Sequence, residues 1–285
     1  MRCCFHNGLL ALVFLSTFLS HQVTASTDIV TLDWTVAETL IALDNPPIGL
    51  AETPQYQRWG GAEQLPSGVV DIGLRAQPNR ELLVQQAPDH IILSPLFIRL
   101  SDQLKTIAHI TVLTNYQLGD PLWQRLQSTT YTIAALSGDY DAATRLIDGV
   151  ETYLDQQKAL LEAQPPLLIV QFIDARHLRI FGEHSLFQAV LERLGLTNVW
   201  QHSTNQWGFS TVALEELLSY PDAVLVVVEP LPLGMSNDFA DNALWQHLPA
   251  VQANRVIRLP AVWSFGGLPS AARFAELLSE ALLDR

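Results

Sequence analysis

Apolar residues recur at three- and four-residue spacing between Asp139 and Gln164, near the middle of the chain, and predict a helix with one buried face. The stripe consists of Ala143, Ile147, Val150, Leu154 and Leu161, flanked by Leu146, Tyr153 and Leu160. Asp139 is a suitable N-cap, and Pro165 and Pro166 favour an end before them. No other long segment reads as one uninterrupted helix. At about 1.5 Å per residue it spans roughly 35 to 40 Å, which suits either a crossover helix or a rod between two lobes.

Short apolar runs alternate with helical patterns on both sides of this helix. Before it, strands are predicted at 29–32, 48–50, 68–73, 90–93 and 110–113, and helices at 35–43, 79–86 and 101–108. After it, strands are predicted at 167–172, 180–181, 223–228 and 255–259, and helices at 185–194, 214–218 and 270–283. This alternation predicts an α/β protein with two lobes and largely parallel sheets. The predicted boundaries are 26–138, 139–164 for the connecting helix, and 165–285. A ligand site is expected between the lobes, at the carboxyl ends of the strands.

The amino terminus has the pattern of a cleavable secretory signal peptide. Arg2 precedes an apolar block at 8–19, and Val23-Thr24-Ala25 is an acceptable cleavage sequence. We therefore expect residues 1–25 to be removed and the mature protein to reach the periplasm. Cys3 and Cys4 are the two cysteines of the chain, so the mature protein would fold without disulfides.

Composition narrows the possible partners. The chain has 16 basic and 29 acidic residues, a formal charge of -13, which argues against nucleic acid. With 48% hydrophobic residues it should be globular throughout.

Catalytic patterns are weak. Ser210 follows Gly208-Phe209 as in a nucleophile elbow, but Val212 replaces the second glycine that such a turn requires. A site for a bare divalent metal would need His90, His177 and His184 to converge, and their spacing does not suggest this.

Aromatic residues near predicted strand ends give the clearer signal. They are Tyr56, Trp59, Phe97, Trp207, Phe209, Trp263 and Phe265. Together they would form an apolar cleft of the kind that binds small molecules. Arg75, at the end of a predicted strand, would add a planar fork of donors for ligand oxygens.

Four segments in order make the sequence resemble a known family. They are GLRAQPNRELL at 73–83, FGEHSLFQ at 181–188, NQWG at 205–208 and PAVW at 260–263. The chain resembles the periplasmic substrate-binding proteins of ABC importers for iron complexes, and most closely those for ferric hydroxamate siderophores of the ferrichrome type. The resemblance implies two α/β lobes joined by one long helix, and a monomer without catalysis or cofactor. It also implies capture of a ferric siderophore and delivery to an inner-membrane ABC permease. The chelator carries the iron, so no protein ligand to iron is expected.

The same resemblance assigns roles to individual residues. The hydroxamate-binding arginine corresponds to Arg75, and the aromatic pocket residues correspond to Trp59, Trp207 and Trp263. Where the family has pocket tyrosines this chain has Phe97 and Phe265, and a pocket serine is replaced by Phe209. Either Ser210, Ser264 or Ser94 supplies the lost hydroxyls, or the ligand differs. The acids that dock the permease correspond to Asp102 and Glu215, although both are also ordinary helix-start acids.

Other ligands and functions stay open at this point. Within the family they are a catecholate siderophore, haem or a corrinoid. Catecholates are disfavoured because the predicted cleft shows one arginine, and haem because it shows no evident Tyr or His. Outside the family, a periplasmic α/β hydrolase would need a nucleophile, base and acid in one cleft.

Overall fold

The computed structural model describes residues 27–60, 65–116, 119, 121–161, 163–235 and 242–285. The predicted signal peptide at 1–25 lies outside the described residues. Two five-stranded sheets are formed, one on each side of a long helix in the sequence. We call the part before this helix the N-lobe and the part after it the C-lobe.

The strands are β1 (Ile29–Thr31), β2 (Gly49–Leu50), β3 (Val70–Asp71), β4 (Gly73–Leu74), β5 (Gln77–Pro78), β6 (His90–Leu93), β7 (His109–Val112), β8 (Leu167–Phe172), β9 (His177–Phe181), β10 (Phe209–Ala213), β11 (Val224–Val228) and β12 (Val256–Leu259). The α-helices are α1 (Trp34–Ala42), α2 (Thr53–Gly60), α3 (Arg80–Gln86), α4 (Ser101–Leu104), α5 (Leu122–Ser137), α6 (Tyr140–Leu160), α7 (Leu186–Leu194), α8 (Ala243–Gln246), α9 (Pro249–Gln252) and α10 (Leu268–Leu283). Pro95–Leu100 and Leu214–Ser219 are 3₁₀-helices.

The N-lobe sheet has the order β3-β2-β1-β6-β7, and all its neighbouring strands are parallel. The residues of β1 are all buried, as expected for the centre of a sheet covered on both faces. The small hairpin β4-β5 lies beside this sheet and carries Arg75 and Ala76 in its turn. The parallel strands thus direct their carboxyl ends, and the loops that follow, to one edge.

The C-lobe sheet is mixed, with the order β10-β9-β8-β11-β12. Strand β8 runs parallel to β11, and β11 runs parallel to β12. In contrast, β9 is antiparallel to both β8 and β10. The prediction of largely parallel sheets is confirmed, and the antiparallel part is the three-strand segment β8-β9-β10.

Helix α6 contributes apolar residues from one face to the cores of both lobes. Ala142 and Ala143 near its start pack in the N-lobe core with α1, β1 and α5. Val150 and Leu154 further along pack in the C-lobe core with α7, β8 and α10. The Asp139 side chain accepts a hydrogen bond from the Ala142 amide at 2.9 Å, as predicted for the N-cap. The helix ends at Leu160, a few residues before the prolines that were expected to end it.

Several predicted elements differ in the structure. Helix α5 was missed, because its threonines and serines obscure the apolar stripe of Leu122, Leu126 and Ile133. The predicted helix at 101–108 is the four-residue α4, and that at 214–218 is a 3₁₀-helix. Within the described ranges, no helix has the length and apolar character needed to cross a membrane.

Candidate ligand-binding cleft

A cavity of about 720 Å³ lies between the lobes, within the range for small-molecule sites. Its N-lobe side comes mainly from segments that follow parallel strands: Asp33 after β1, Ser94 after β6, and residues 113–116 after β7. The lining residues are Asp33, Thr35, Val36, Arg75, Ser94, Pro95, Leu96, Leu113, Thr114, Asn115, Tyr116, Gln206, Trp207, Phe209, Trp263 and Phe265. The site therefore lies at the sheet edge where α/β proteins place their ligands.

Arg75 is held in one orientation by four contacts. Its guanidinium carbon lies 4.6 Å from the ring centroid of Trp34 and 4.8 Å from that of Phe97. Its Nε donates to the Leu32 carbonyl at 2.8 Å, and its backbone amide donates to Glu52 at 3.3 Å. Neither terminal nitrogen of Arg75 has a hydrogen-bond partner among the described residues. The fork of donors is thus fixed by its base and by two aromatic faces, with its terminal groups available to a ligand.

Burial and the neighbouring acids act in opposite directions on the pKa of Arg75, and the effect of burial is the larger. Burial lowers the pKa of its guanidinium from the usual value, while the charges of Asp33 and Glu52 raise it. The Asp33 carboxylate is itself engaged as the N-cap of α1, accepting from the Thr35 amide at 2.8 Å. Arg75 is therefore the positive group in the cavity lining, and Asp33 is the negative one.

Four rings of the C-lobe form an aromatic wall of the cavity that Arg75 also lines. Phe265 lies at the centre, with its ring centroid 5.5 Å from Trp207, 6.0 Å from Phe209 and 5.2 Å from Trp263. Gly208 makes this arrangement possible: its φ is +79°, and a side chain there would clash with the backbone of Ser185. The wall supplies a rigid apolar surface for a ligand.

Comparison with known proteins identifies the family to which this architecture corresponds. Residues 29–262 match the family described as periplasmic binding protein. The chain belongs to the periplasmic binding protein family.

Relatives and solved structures give closer comparisons. The iron(3+)-hydroxamate-binding protein FhuD of Escherichia coli is 33% identical over 256 residues, which cover 89% of this chain and 86% of that protein. The structure of FhuD from Vibrio cholerae with Fe³⁺-Desferal has a TM-score of 0.85 and 29% identity, covering 91% of this chain and 98% of that one. PiuA, an iron uptake ABC transporter substrate-binding protein from Streptococcus pneumoniae, has a TM-score of 0.72 and 21% identity, covering 90% and 93%. At this identity, the comparison with PiuA supports only the fold. The fold is that of periplasmic binding proteins with two lobes and one long connecting helix.

The structure separates the predicted site residues into two groups. Arg75, Trp207, Phe209, Trp263 and Phe265 line the cavity together. Trp59, Phe97 and Ser210 do not.

The residues outside the lining are displaced for identifiable reasons. Trp59 lies on α2 rather than in a loop, and packs with Trp34 and Tyr56. Phe97 is 8% exposed because it packs in the N-lobe core with residues such as Leu83 and Leu93, and its ring also contacts the guanidinium of Arg75. The Ser210 hydroxyl lies on β10 and donates to the Ser203 carbonyl at 2.9 Å.

The other serines proposed to replace the lost hydroxyls also differ in position. Ser94 lines the cavity. Ser264 is 1% exposed, and its hydroxyl lies 3.4 Å from Oε1 of the buried Gln171. Ser94 is thus the hydroxyl of this set that a ligand can reach.

Sequence reasoning missed several residues of the cleft. Tyr116 lies in the lining, with its ring centroid 5.9 Å from both Trp207 and Phe265. Its hydroxyl donates to the Gly266 carbonyl at 2.8 Å, and burial raises the pKa of the phenol well above 10. The expectation that the cleft contains no tyrosine was therefore wrong. Tyr116 follows β7, and a search restricted to strand ends would have included it.

A second arginine borders the aromatic wall. The guanidinium carbon of Arg179 lies 5.0 Å from the ring centroid of Phe209 and 5.8 Å from that of Phe265. Its Nη1 donates to Gln171 Oε1 at 3.2 Å, whereas its buried Nε has no hydrogen-bond partner in the part of the chain that the structure describes. Arg179 thus adds positive charge beside the rings, although it does not line the cavity.

The histidines proposed for a bare metal do not converge. The Nδ1 of His177 lies 3.0 Å from Asp174, while the His90 ring lies beside that of His109 at 5.7 Å. Among the described residues there is no group of three or more His, Cys, Asp or Glu that could hold a metal ion.

A second cavity of about 700 Å³ lies on the N-lobe and is lined by the β4-β5 hairpin, the start of α3 and α4. It has no aromatic residue and does not include Arg75. We regard it as separate from the ligand site, because neither the wall nor the guanidinium faces it.

The two predicted docking acids lie on different lobes. Asp102 is in the first turn of α4, its side chain is 88% exposed, and it pairs with Lys105 at 2.6 Å. Glu215 is exposed in the first turn of the 3₁₀-helix at Leu214–Ser219. Neither residue lines the interlobe cavity.

Proposed function

We propose that this protein binds a ferric hydroxamate siderophore in the interlobe cavity and delivers it to an inner-membrane ABC permease. The observation that carries the proposal is the Arg75 guanidinium, which contacts two rings, keeps its terminal nitrogens available and lines the same cavity as the aromatic wall. A ferric trihydroxamate presents clustered oxygens and an apolar periphery. The fork of donors suits the oxygens, and the wall suits the periphery.

The two most informative relatives support the hydroxamate class. One is named for iron(3+)-hydroxamate binding, and the other was solved with Fe³⁺-Desferal. In a ferric trihydroxamate the chelator fills all six positions of the iron. The protein then needs no cofactor and no iron ligand of its own, and it acts by binding rather than by catalysis.

The alternative ligands are less compatible with the cavity. A ferric catecholate carries a strong negative charge, whereas the lining combines one arginine with the acidic Asp33. Haem iron would need an axial ligand, and the hydroxyl of Tyr116 is already bonded to Gly266. A hydroxamate complex fits both the charge and the available donors.

The direct test is a binding titration followed by quenching of tryptophan fluorescence. Trp207 and Trp263 lie in the cavity lining, so a ligand there should quench them. We expect saturable quenching by Fe³⁺-Desferal and much weaker quenching by iron-free Desferal or by a ferric catecholate. Equal responses to all three would contradict the proposal, and tighter binding of the catecholate would reassign the ligand.

We further propose that Asp102 and Glu215 dock the permease, one from each lobe, and that the protein acts in the periplasm as a monomer after removal of residues 1–25. Exposure of both acids outside the cavity supports this arrangement, because a partner could contact them without displacing the ligand.

A further inference from the structure

Glu38 is a buried carboxyl group at the junction of the two lobes. It lies on α1 of the N-lobe and is 8% exposed. Its Oε1 accepts from the Gly267 amide at 2.5 Å, and its Oε2 accepts from the Ser270 hydroxyl at 2.5 Å. Both donors belong to the C-lobe, at the start of α10. The carboxyl therefore joins two elements that are 229 residues apart in the sequence.

The start of α10 is built to receive this carboxyl. Its N-cap residue is Gly267, which has no side chain to bond the first-turn amides. A Cβ at Gly266 would clash with Ser270 and lie 2.7 Å from Glu38 Oε1, and a Cβ at Gly267 would lie 3.1 Å from Thr39 Oγ1. The two glycines thus let the backbone lie against α1, and Glu38 provides the missing cap from the other lobe.

The same contact region holds part of the aromatic wall. The Thr35 hydroxyl donates to the Phe265 carbonyl at 2.7 Å, and Trp263 Nε1 donates to Thr35 Oγ1 at 3.3 Å. Tyr116 donates to Gly266 from a second N-lobe segment. Residues 263–267 are therefore fixed by the N-lobe, and Trp263 and Phe265 within them line the cavity.

Within the described ranges, no basic side chain forms an ion pair with Glu38. Burial raises the pKa of its carboxyl to about 7, the hydrogen bonds from Ser270 and Gly267 lower it, and the nearby charge of Asp33 raises it. Tyr56 and Tyr116, the other titratable groups coupled to Glu38, have raised pKa values and are neutral near pH 7.

Two basic side chains on the helices packed near α1 form hydrogen bonds with other groups. Arg273 of α10 donates to the Ala261 carbonyl at 3.0 Å. Arg125 of α5 donates to the Asn115 carbonyl at 2.7 Å. The described contacts of Glu38 are thus neutral donors, which favour the ionised carboxyl, whereas burial disfavours the ionised form more strongly and leaves the pKa raised.

We propose that Glu38 is a positioning residue that clamps residues 263–267 onto α1, and that loss of its proton loosens this clamp. When the clamp opens, water reaches the carboxyl and restores its ordinary acidity. The closed clamp therefore binds the proton more tightly than the open one, and rising pH favours opening. If the proposed function holds, the protein binds ferric siderophore more weakly at high pH, because in the open form Trp263 and Phe265 of the aromatic wall are not held in place.

The clamp is tested without ligand by hydrogen exchange of the peptide 263–274 at pH 6 and pH 8. Wild-type protection at Gly267 and the first turn of α10 should fall about tenfold between these pH values, after correction for intrinsic exchange. In Glu38→Gln the amide preserves the shape without a titrating proton, so its protection should change less than twofold. The same pH dependence in both proteins would overturn the clamp.

A second pair of variants keeps the test decisive if Glu38→Gln folds poorly. Ser270→Ala removes one donor of the clamp. Ser279→Ala removes a fully buried hydroxyl on the same helix, for which the described residues provide no hydrogen-bond partner. We expect at least threefold faster exchange at Gly267 in Ser270→Ala and no change in Ser279→Ala. Equal exchange in the two variants would contradict the role of Glu38.

The effect on ligand is measured with Fe³⁺-Desferal at the same two pH values. The dissociation constant of the wild type should rise by up to about tenfold from pH 6 to pH 8, and that of Glu38→Gln should rise less. Because both proteins meet the same ligand, titration of the chelator cancels in the comparison. An equal pH dependence of the dissociation constant in wild type and Glu38→Gln would show that the clamp does not affect affinity. If no ligand binds while exchange behaves as expected, the proposed function fails and the clamp stands.

Discussion

The guanidinium of Arg75 is held in place by contacts within the protein itself. The Nε hydrogen bond to Leu32 and the two flanking rings hold the guanidinium in place, so little side-chain entropy remains to be lost on binding. Phe97 belongs to this support and not to the cavity lining. A phenylalanine in place of tyrosine there keeps the aromatic face that Arg75 needs.

Replacing Arg75 with alanine should weaken binding of Fe³⁺-Desferal by about 1.5 to 3 kcal/mol, because charged hydrogen bonds to the ligand oxygens are lost. The measurement is the tryptophan-quenching titration. Arg80→Ala is the matched control, since Arg80 is an exposed residue at the start of α3 and outside the cavity. If the two variants bind alike, Arg75 does not contact the ligand.

Glu38 should also make the stability of the whole fold depend on pH. Its carboxyl pKa is about 7 in the folded protein and about 4.5 in the unfolded chain, so the folded state holds the proton more tightly between these values. The free energy of unfolding should therefore fall by about 2 kcal/mol from pH 5 to pH 7.5 because of this one group. Urea unfolding of wild type and Glu38→Gln at both pH values isolates the contribution of Glu38 to the free energy of unfolding. A constant difference between the two proteins would show that Glu38 does not titrate in this range.

At the scale of elements, α6 combines two functions in one amphipathic surface. Its first turns bury alanines in the N-lobe core, and its later turns bury Val150 and Leu154 in the C-lobe core. Helix α5 packs beside it and supports the cavity, because Arg125 and Thr129 both bond to Asn115. The connection between lobes is therefore a packed helix layer.

Gly149 offers a test of this helix without disturbing its packing. It is an exposed interior residue of α6, and a Cβ there would meet nothing within 4 Å. Gly149→Ala should stabilise the protein by about 0.5 to 1 kcal/mol, since alanine loses less backbone entropy in a helix. The midpoint of urea unfolding measures the change.

Gly138→Ala is the opposing control for that variant. Gly138 ends α5 with a φ of +88°, a conformation that alanine adopts at a cost of about 1 kcal/mol. It should destabilise the protein although its Cβ would also be free of contacts. A destabilising Gly149→Ala would mean that α6 is not a regular helix at that position.

At the scale of the whole molecule, hydrogen bonds join the lobes in addition to helix α6. Glu38 accepts a hydrogen bond from Gly267, and Thr35 donates one to Phe265. Both contacts link the two lobes beside the cavity. On α2, Arg58 donates to the Leu231 carbonyl of the C-lobe at 3.2 Å. These contacts leave little freedom for a large hinge motion around the ligand.

Solution scattering should therefore give nearly the same radius of gyration with and without Fe³⁺-Desferal. The physical reason is that at pH 6, where Glu38 holds its proton, the packed helix layer and the interlobe hydrogen bonds persist in both states. A contraction of several ångströms on adding ligand would show that the lobes close about a hinge.

The proposed docking to the permease uses one exposed acid on each lobe. Asp102→Lys or Glu215→Lys should abolish uptake of ferric siderophore in cells, because charge reversal would repel a basic partner surface. Affinity for the ligand in solution should not change, since both residues lie outside the cavity. Asp148→Lys, at an exposed position of α6, is the control. Normal uptake by the double variant at normal protein levels would leave these acids with no role beyond their helix starts.

The sequence by itself determined the features that depend on neighbours within a few turns of chain. The periodicity from Ala143 to Leu161, the Asp139 cap and the alternation of strands with helices follow from local sterics and burial. They were sufficient for the two-lobe α/β fold and for placing Arg75 at a strand end. Helix α5 was missed because the threonines and serines of its sequence obscure its apolar stripe.

The tertiary structure decided which side chains share the cavity. Phe97 and Phe265 look alike in the sequence, yet one lies behind Arg75 and the other lies at the centre of the wall. Tyr116 and Glu38 acquire their roles from residues 266–270 of the other lobe. Local propensity cannot predict such pairs, because the free energy that places them comes from the packing of one lobe against the other.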